Sequence, residues 1–185
     1  HGASMMLTTL GDLVEDVIVR FDGPVNVASD TPARISRRRG GSAANVVVAA
    51  AGLGHAARFL GQVGSDAIGS ALLAEMAADG VDVAMVRRAG PTGTIVALVD
   101  RTGERSMLTD RRACIDLSDP DPSWLDGVGA LHVPLVSSAA GRWQFLDTSW
   151  RRGLSFMVRD RLVKFGMPKS QARDARIWLG EHHIS

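Results

Sequence analysis

The sequence holds a single cysteine, Cys114, in 185 residues, so no internal disulfide can form and no cysteine cluster is available for zinc. That usage suits a reducing compartment, and a cytoplasmic location is expected. No uninterrupted apolar run approaches the ~20 residues that a membrane helix needs, so no membrane partner is expected. Lysine is missing from residues 1–140, where twelve arginines face sixteen acidic residues for a net charge of −4. Aromatic residues are scarce in the same stretch, which has only Phe21, Phe59 and Trp124. An acidic body whose arginines are not interleaved with aromatics argues against nucleic acid as a partner.

What is present is the material of an ordinary globular domain, with 45% hydrophobic and 22% charged residues. A chain of this length can bury a core without staples. The character changes near residue 140. Residues 141–185 carry nine basic against four acidic residues, a net of +5, with three of the four tryptophans and only two alanines, against 22 alanines before them. The division expected is therefore a body over residues 5–140 and a divergent basic tail over 141–185, with a short helix near 169–179.

Along the body, strand-like and helix-like segments alternate. "MLTTLGD" reads as a strand that turns at Gly11, with Asp16 near its end. "VNVASDTPARISRRRGG" alternates like a half-exposed strand, and "SAANVVVAAAGLG" has helix length with Ser42 as its N-cap. "ARFLGQV" is a strand, and "AIGSALLAEMAADG" an amphipathic helix that Asp66 caps and Gly80 closes, with Ile68, Leu72, Leu73 and Met76 on one side. Two strands then meet in a hairpin at Thr102-Gly103. "DPSWLDG" is a short capped helix before a buried strand. The pattern predicts a three-layer α/β sheet with one polar, β-rich excursion.

The paired glycines of "RRRGGSAAN" stand before a helix, where missing Cβ atoms let backbone amides approach a ligand and the helix start offers unpaired N–H groups. The spacing fits neither G-x-G-x-x-G nor a P-loop. Taken alone, the pair is equally consistent with turn geometry or tight packing. Asp16 read alone is a solvated turn acid, Asp12 a turn residue, and Asn45 a helix-start residue bonded to its own backbone. Alternation sends Arg37 and Arg39 to one face of their strand and Arg38 to the other; a solvated strand edge accounts for them, and an acidic sugar or substrate phosphate is the competing account.

Three segments in order, "GDLVEDVIV", "GGSAAN" and "GQVGSDAIGSALLAEMAADGVDV", resemble the N-terminal signature of the ribokinase-like (PfkB family) carbohydrate kinases over roughly residues 5–136. The resemblance implies a Rossmann-like three-layer sheet with a small β lid, formed by residues 25–38 and 94–108, which closes over the sugar and pairs between subunits as a homodimer. It implies an ATP-dependent phosphotransferase acting on a carbohydrate hydroxyl, with ATP and Mg2+ as partners of the reaction. It also implies a substrate site at Asp16, Gly40, Gly41 and Asn45, with Asp12 and Arg39 as weaker candidates, and no metal ligand in this part of the chain. The chemistry agrees, because sugar hydroxyls excluded from water each need a directional partner.

The resemblance stops after "LHVPLVSS". The family's Gly-Ala-Gly-Asp motif, which supplies an anion hole and the aspartate base, does not occur in these 185 residues, nor do its nucleotide-binding loops. The C-terminal half of the fold is therefore expected to be missing, no catalytic residue is identified, and ATP has no expected site. His182 and His183 read as an exposed tail rather than a metal pair. The leading expectation is the sugar-binding part of a sugar kinase. Its competitors are a non-catalytic sugar-binding or dimerising remnant and a nucleoside kinase of the same family, the last disfavoured because the lid and the Gly-Gly region lack aromatics to stack a base.

Overall fold

The computed structural model describes residues 6–112, 121–134, 155–158 and 161–163. Two sheets organise them. The first follows the order β10-β9-β8-β1-β4-β5, built from β1 (Met6–Asp12), β4 (Ala57–Val63), β5 (Arg87–Arg88), β8 (Val128–His132), β9 (Ser155–Val158) and β10 (Arg161–Val163). Every pairing in it is parallel except the terminal β9–β10 hairpin. The second sheet runs β3-β2-β6-β7, from β2 (Val14–Phe21), β3 (Ala33–Gly40), β6 (Gly93–Val99) and β7 (Arg105–Asp110). Here β2 and β6 pair in parallel, and each carries an antiparallel partner on its outer side.

Two helices, α1 (Ser42–Gly52) and α2 (Ala67–Ala78), pack on one face of the first sheet. The core there joins Phe59 and Val63 of β4 to Ala43, Ala44 and Val47 of α1 and to Leu72 and Met76 of α2. Small residues let α1 come close: Ala43 and Ala44 are buried, and the Thr9 hydroxyl donates to the Ala43 carbonyl at 3.0 Å. Leu10 and Leu60 point the other way by strand alternation and are buried too, so both faces of β1 and β4 are covered, as strands of a parallel α/β sheet require. A 3-10 turn at Pro122–Leu125, capped by Asp121, leads into β8, and Arg87 lies over its Trp124 ring at 4.5 Å. Among the described residues no helix is long and apolar enough to cross a membrane.

Several sequence expectations are corrected. Asp16 does not close the first strand; only Leu13 separates β1 from β2, and Asp16 belongs to β2, in the second sheet. Residues 25–38 are not one lid strand, because the strand begins at Ala33, just past Pro32, which has no N–H to give a ladder. Ser42 is the first residue of α1, and Gly41 holds the cap position without any side-chain bond. Ile68 is 38% exposed and stands apart from the buried Leu72 and Met76. Residues 155–158 pair in parallel with β8, so the chain beyond 140 adds to the sheet that the body began. The Asp66 cap holds, as does the hairpin turn, where Asp100 accepts from Thr102 and Glu104. The helix expected at 169–179 and the pair His182 and His183 lie outside the described residues.

Candidate functional site

The site forms where the two sheets meet. β1 ends at Asp12, β2 starts at Val14, and β3 delivers Gly40 and Gly41 to the start of α1. Antiparallel register sets Asp16 opposite Arg38 and Val14 opposite Gly40. The Asp16 carboxylate leans over the Gly40 Cα so closely that any Cβ at residue 40 would overlap its oxygens. Gly41 adopts φ 107 and ψ 123, a backbone that L side chains rarely adopt, and a Cβ there would strike the Asp12 carbonyl. The Asn45 amide N–H donates to the Gly41 carbonyl at 3.0 Å, while the residue itself is exposed one turn into α1.

Asp12, Asp16, Gly40, Gly41 and Asn45 are thus linked by direct contacts into one surface. Asp16 keeps 20% of its side chain exposed. Burial pushes its carboxyl above the ordinary value, against the downward pull of Arg38 and Arg105. The first turn of α1 has no acidic residue and no side-chain cap, so no side chain takes up the donors at this helix start. A carboxylate acceptor, a side-chain amide that gives and takes, and bare glycine backbone together suit an uncharged polyol ring.

Arg39 is not part of this surface. It turns to the opposite face of β3 and pairs with Glu75 and Asp79 of α2, each at 2.9 Å. Arg37, on that same face, pairs with Glu15 at 2.8 Å. Arg38 alone of the three arginines shares the Asp16 side, its Nε 4.0 Å from Asp16 Oδ2. Two cations were missed from the sequence, Arg105 on β7 and Arg111, whose Nη1 stands 4.0 Å from Asp12 Oδ2. Their placement follows from pairings between distant strands, which local periodicity does not report. An open cleft of about 560 Å³, lined by Arg20, Phe21, Asp22, Pro32 and Arg34, lies at the far end of the second sheet and not at Asp16.

Asp66 holds the structural place expected of it. It accepts from Gly69 N at 2.8 Å, Thr92 N at 2.7 Å and the Thr92 hydroxyl at 2.5 Å, tying the start of α2 to the start of β6. The Thr92 hydroxyl, then the Thr92 and Gly69 amides, lower its pKa to about 2. Among the described residues there is no group of three or more His, Cys, Asp or Glu that could hold a metal ion.

A sequence profile of the pfkB family carbohydrate kinases matches residues 5–133. The chain belongs to that family. Solved structures of pfkB-family proteins share its fold. The Arabidopsis thaliana ribokinase complexed with ribose and ATP superposes at a TM-score of 0.70 with 20% identity, over 84% of this chain and 53% of the ribokinase. A PfkB protein from Polaromonas sp. JS666 gives 0.71 with 23% identity, over 95% of this chain and 62% of its own. Ribokinase from Giardia lamblia gives 0.72 with 18% identity, over 84% and 50%. The chain thus spans about half to three fifths of the length of these structures. No curated protein sequence matches it. Within the pfkB-family frame the second sheet is the β lid, and Gly40-Gly41 lies at the joint between lid and body.

Proposed function

We propose that the surface formed by Asp16, Gly40, Gly41 and Asn45 binds a carbohydrate, as the sugar-recognition part of an ATP-dependent kinase that phosphorylates a carbohydrate hydroxyl. The observation that carries the reading is the seating of the Asp16 carboxylate on Gly40 beside an uncapped helix start. In this reading Asp16 accepts from a pair of sugar hydroxyls. The glycine backbone lies against the ring, and the Asn45 side chain gives one bond and takes another. Asp12 shapes the floor through its carbonyl at Gly41. The lid strands fold over the bound sugar and keep water from it.

ATP with Mg2+ supplies the phosphoryl group in a carbohydrate kinase of this kind. The Gly-Ala-Gly-Asp motif does not occur in the sequence, and this reading assigns the described residues a part in recognition alone. Isothermal calorimetry with a panel of pentoses and hexoses tests the reading. Saturable heat that Asp16→Ala abolishes is the expected result, and no heat with any sugar sinks it.

The lid supports a second reading, a surface for a homodimer. Ile35 and Leu108 are 64% and 61% exposed on the lid face away from Asp16. Sedimentation of the wild-type chain against Ile35→Glu tests it. A monomer at all concentrations in both would remove the dimer.

A further inference from the structure

The two faces of the lid differ in charge. Strand register and alternation place Asp16, Ile18 and Arg20 of β2 on one face, with Arg34, Ser36 and Arg38 of β3 and Arg105, Met107 and Thr109 of β7. Within the strands, that face holds four arginines against a single carboxylate, with Asp22 and Asp100 lining the cleft beside Arg20 and Arg34. The other face holds Arg37 and Arg39 against Glu15 and Asp110 and is balanced. The ion pairs agree with the division, because Arg37 and Arg39 reach Glu15, Glu75 and Asp79, whereas Arg38 stands beside Asp16.

Among the described residues the excess cations are not consumed by close ion pairs. Arg38 Nε is 4.0 Å from Asp16, an attraction beyond hydrogen-bond length, and 65% of its side chain is exposed. Among the described residues Arg20, Arg34 and Arg105 make no ion pair. Arg20 and Arg34 lie directly opposite one another in register, like charges that repel, and Asp22 and Asp100 of the same cleft offset them without forming an ion pair among the described residues. Register sets Arg105 on the same face as Asp16, opposite Val99 and level with Arg20, and its charge pulls the Asp16 pKa downward. A neutral sugar gives this array nothing that water does not. Guanidinium groups offer only donors, in a planar fork that matches a carboxylate or a phosphate.

We propose that the substrate bound at Asp16 also carries an anionic group, a carboxylate or a phosphate, and that Arg38 and Arg105 are the specificity-determining residues that bind it. The inference rests on the sugar site proposed above and names the class of sugar. Arg34 and Arg20 extend the positive potential toward the tip of the lid and raise the rate at which an anion arrives. Arg39, the arginine that the sequence offered for an anionic substrate, is excluded because α2 holds it on the other face.

Matched ligands on the 185-residue chain test this: ribose, ribonate and ribose 5-phosphate, with arabinose, arabinonate and arabinose 5-phosphate beside them. Affinities are read by calorimetry at low and high salt for the wild type, Arg38→Gln, Arg105→Gln and Arg37→Gln. One charged series is expected to bind at least about tenfold more tightly than its neutral parent, with the advantage shrinking in salt. Arg38→Gln and Arg105→Gln are each expected to remove about tenfold from that series and to leave the neutral sugar unchanged, while Arg37→Gln changes neither. Whichever series gains, acid or phosphate, identifies the anion. Equal affinity for neutral and charged sugars, insensitive to Arg38→Gln, overturns the inference and leaves the sugar site standing. Absence of binding by all six ligands overturns both.

Discussion

The Asp16 carboxylate is seated over the Cα of Gly40, and no side chain can be added at residue 40 without moving it. Gly40→Ala is therefore expected to push Asp16 out of the joint between lid and body. Overpacking of this kind costs about 1–3 kcal/mol, and sugar affinity should fall about tenfold or more with it. Urea unfolding and calorimetry on the same preparation measure the two effects. Unchanged sugar binding by a folded Gly40→Ala protein would separate Gly40 from the site.

Asp16→Asn should raise stability at neutral pH while weakening sugar binding. Burial raises the Asp16 pKa in the folded chain, so the native state holds this proton more tightly than the unfolded chain does. Its contribution to stability is greatest in acid and is lost as pH rises through the raised folded value, which leaves a penalty at pH 7. The neutral amide does not carry that penalty. Denaturant midpoints at pH 7 and pH 4 should show a gain for Asp16→Asn at pH 7 that narrows in acid.

The sign is opposite for Asp66. Thr92 and Gly69 hold its pKa at about 2, below the ordinary aspartate value of 3.8. The stabilisation is complete above the unfolded value and is lost as pH falls through the folded one. Asp66→Ala should therefore lose stability at pH 6, and the gap to the wild type should close between about pH 4 and pH 2. A gap that stayed constant over an acid titration followed by circular dichroism would mean that the cap acts without its charge.

Arg39→Ala should leave the affinity for any sugar unchanged, charged or neutral, because the side chain reaches α2 and not the site. It should cost about 1 kcal/mol of stability, since its partners Glu75 and Asp79 are partly exposed and repel one another at i and i+4 once Arg39 is gone. Parallel melts and titrations of the one variant check both halves.

How far the sequence revealed this site depends on which distances it had to report. Gly40, Gly41 and Asn45 lie within one turn of a single helix start, and the local pattern was enough to set them beside that start. Asp66 was equally readable, because a cap is a local device three residues from its acceptor. Asp16 was singled out by the family resemblance but assigned to the wrong strand, because β1 and β2 are parted by Leu13 alone and carry no turn signal between them. The charged face of the lid was not legible. It arises from the parallel pairing of β2 with β6, residues nearly eighty positions apart, and only that register brings Arg105 over the face of Asp16. The strand at 155–158 was missed for a related reason, since its pairing with β8 overrides a composition unlike that of the body.

The lid is fastened at its root on two sides, by Asp66 to Thr92 at the start of β6 and by Arg39 to α2 at the end of β3. Asp16 sits within that root, as the third residue of β2, whereas Arg34 and Arg20 stand toward the free end. A lever anchored in this way bends at its tip while its base holds still. The hydroxyl-reading carboxylate would then keep its place in the open and the closed molecule alike. In the proposed sugar site, recognition of the ring then rests on the fixed root and not on where the flap stands.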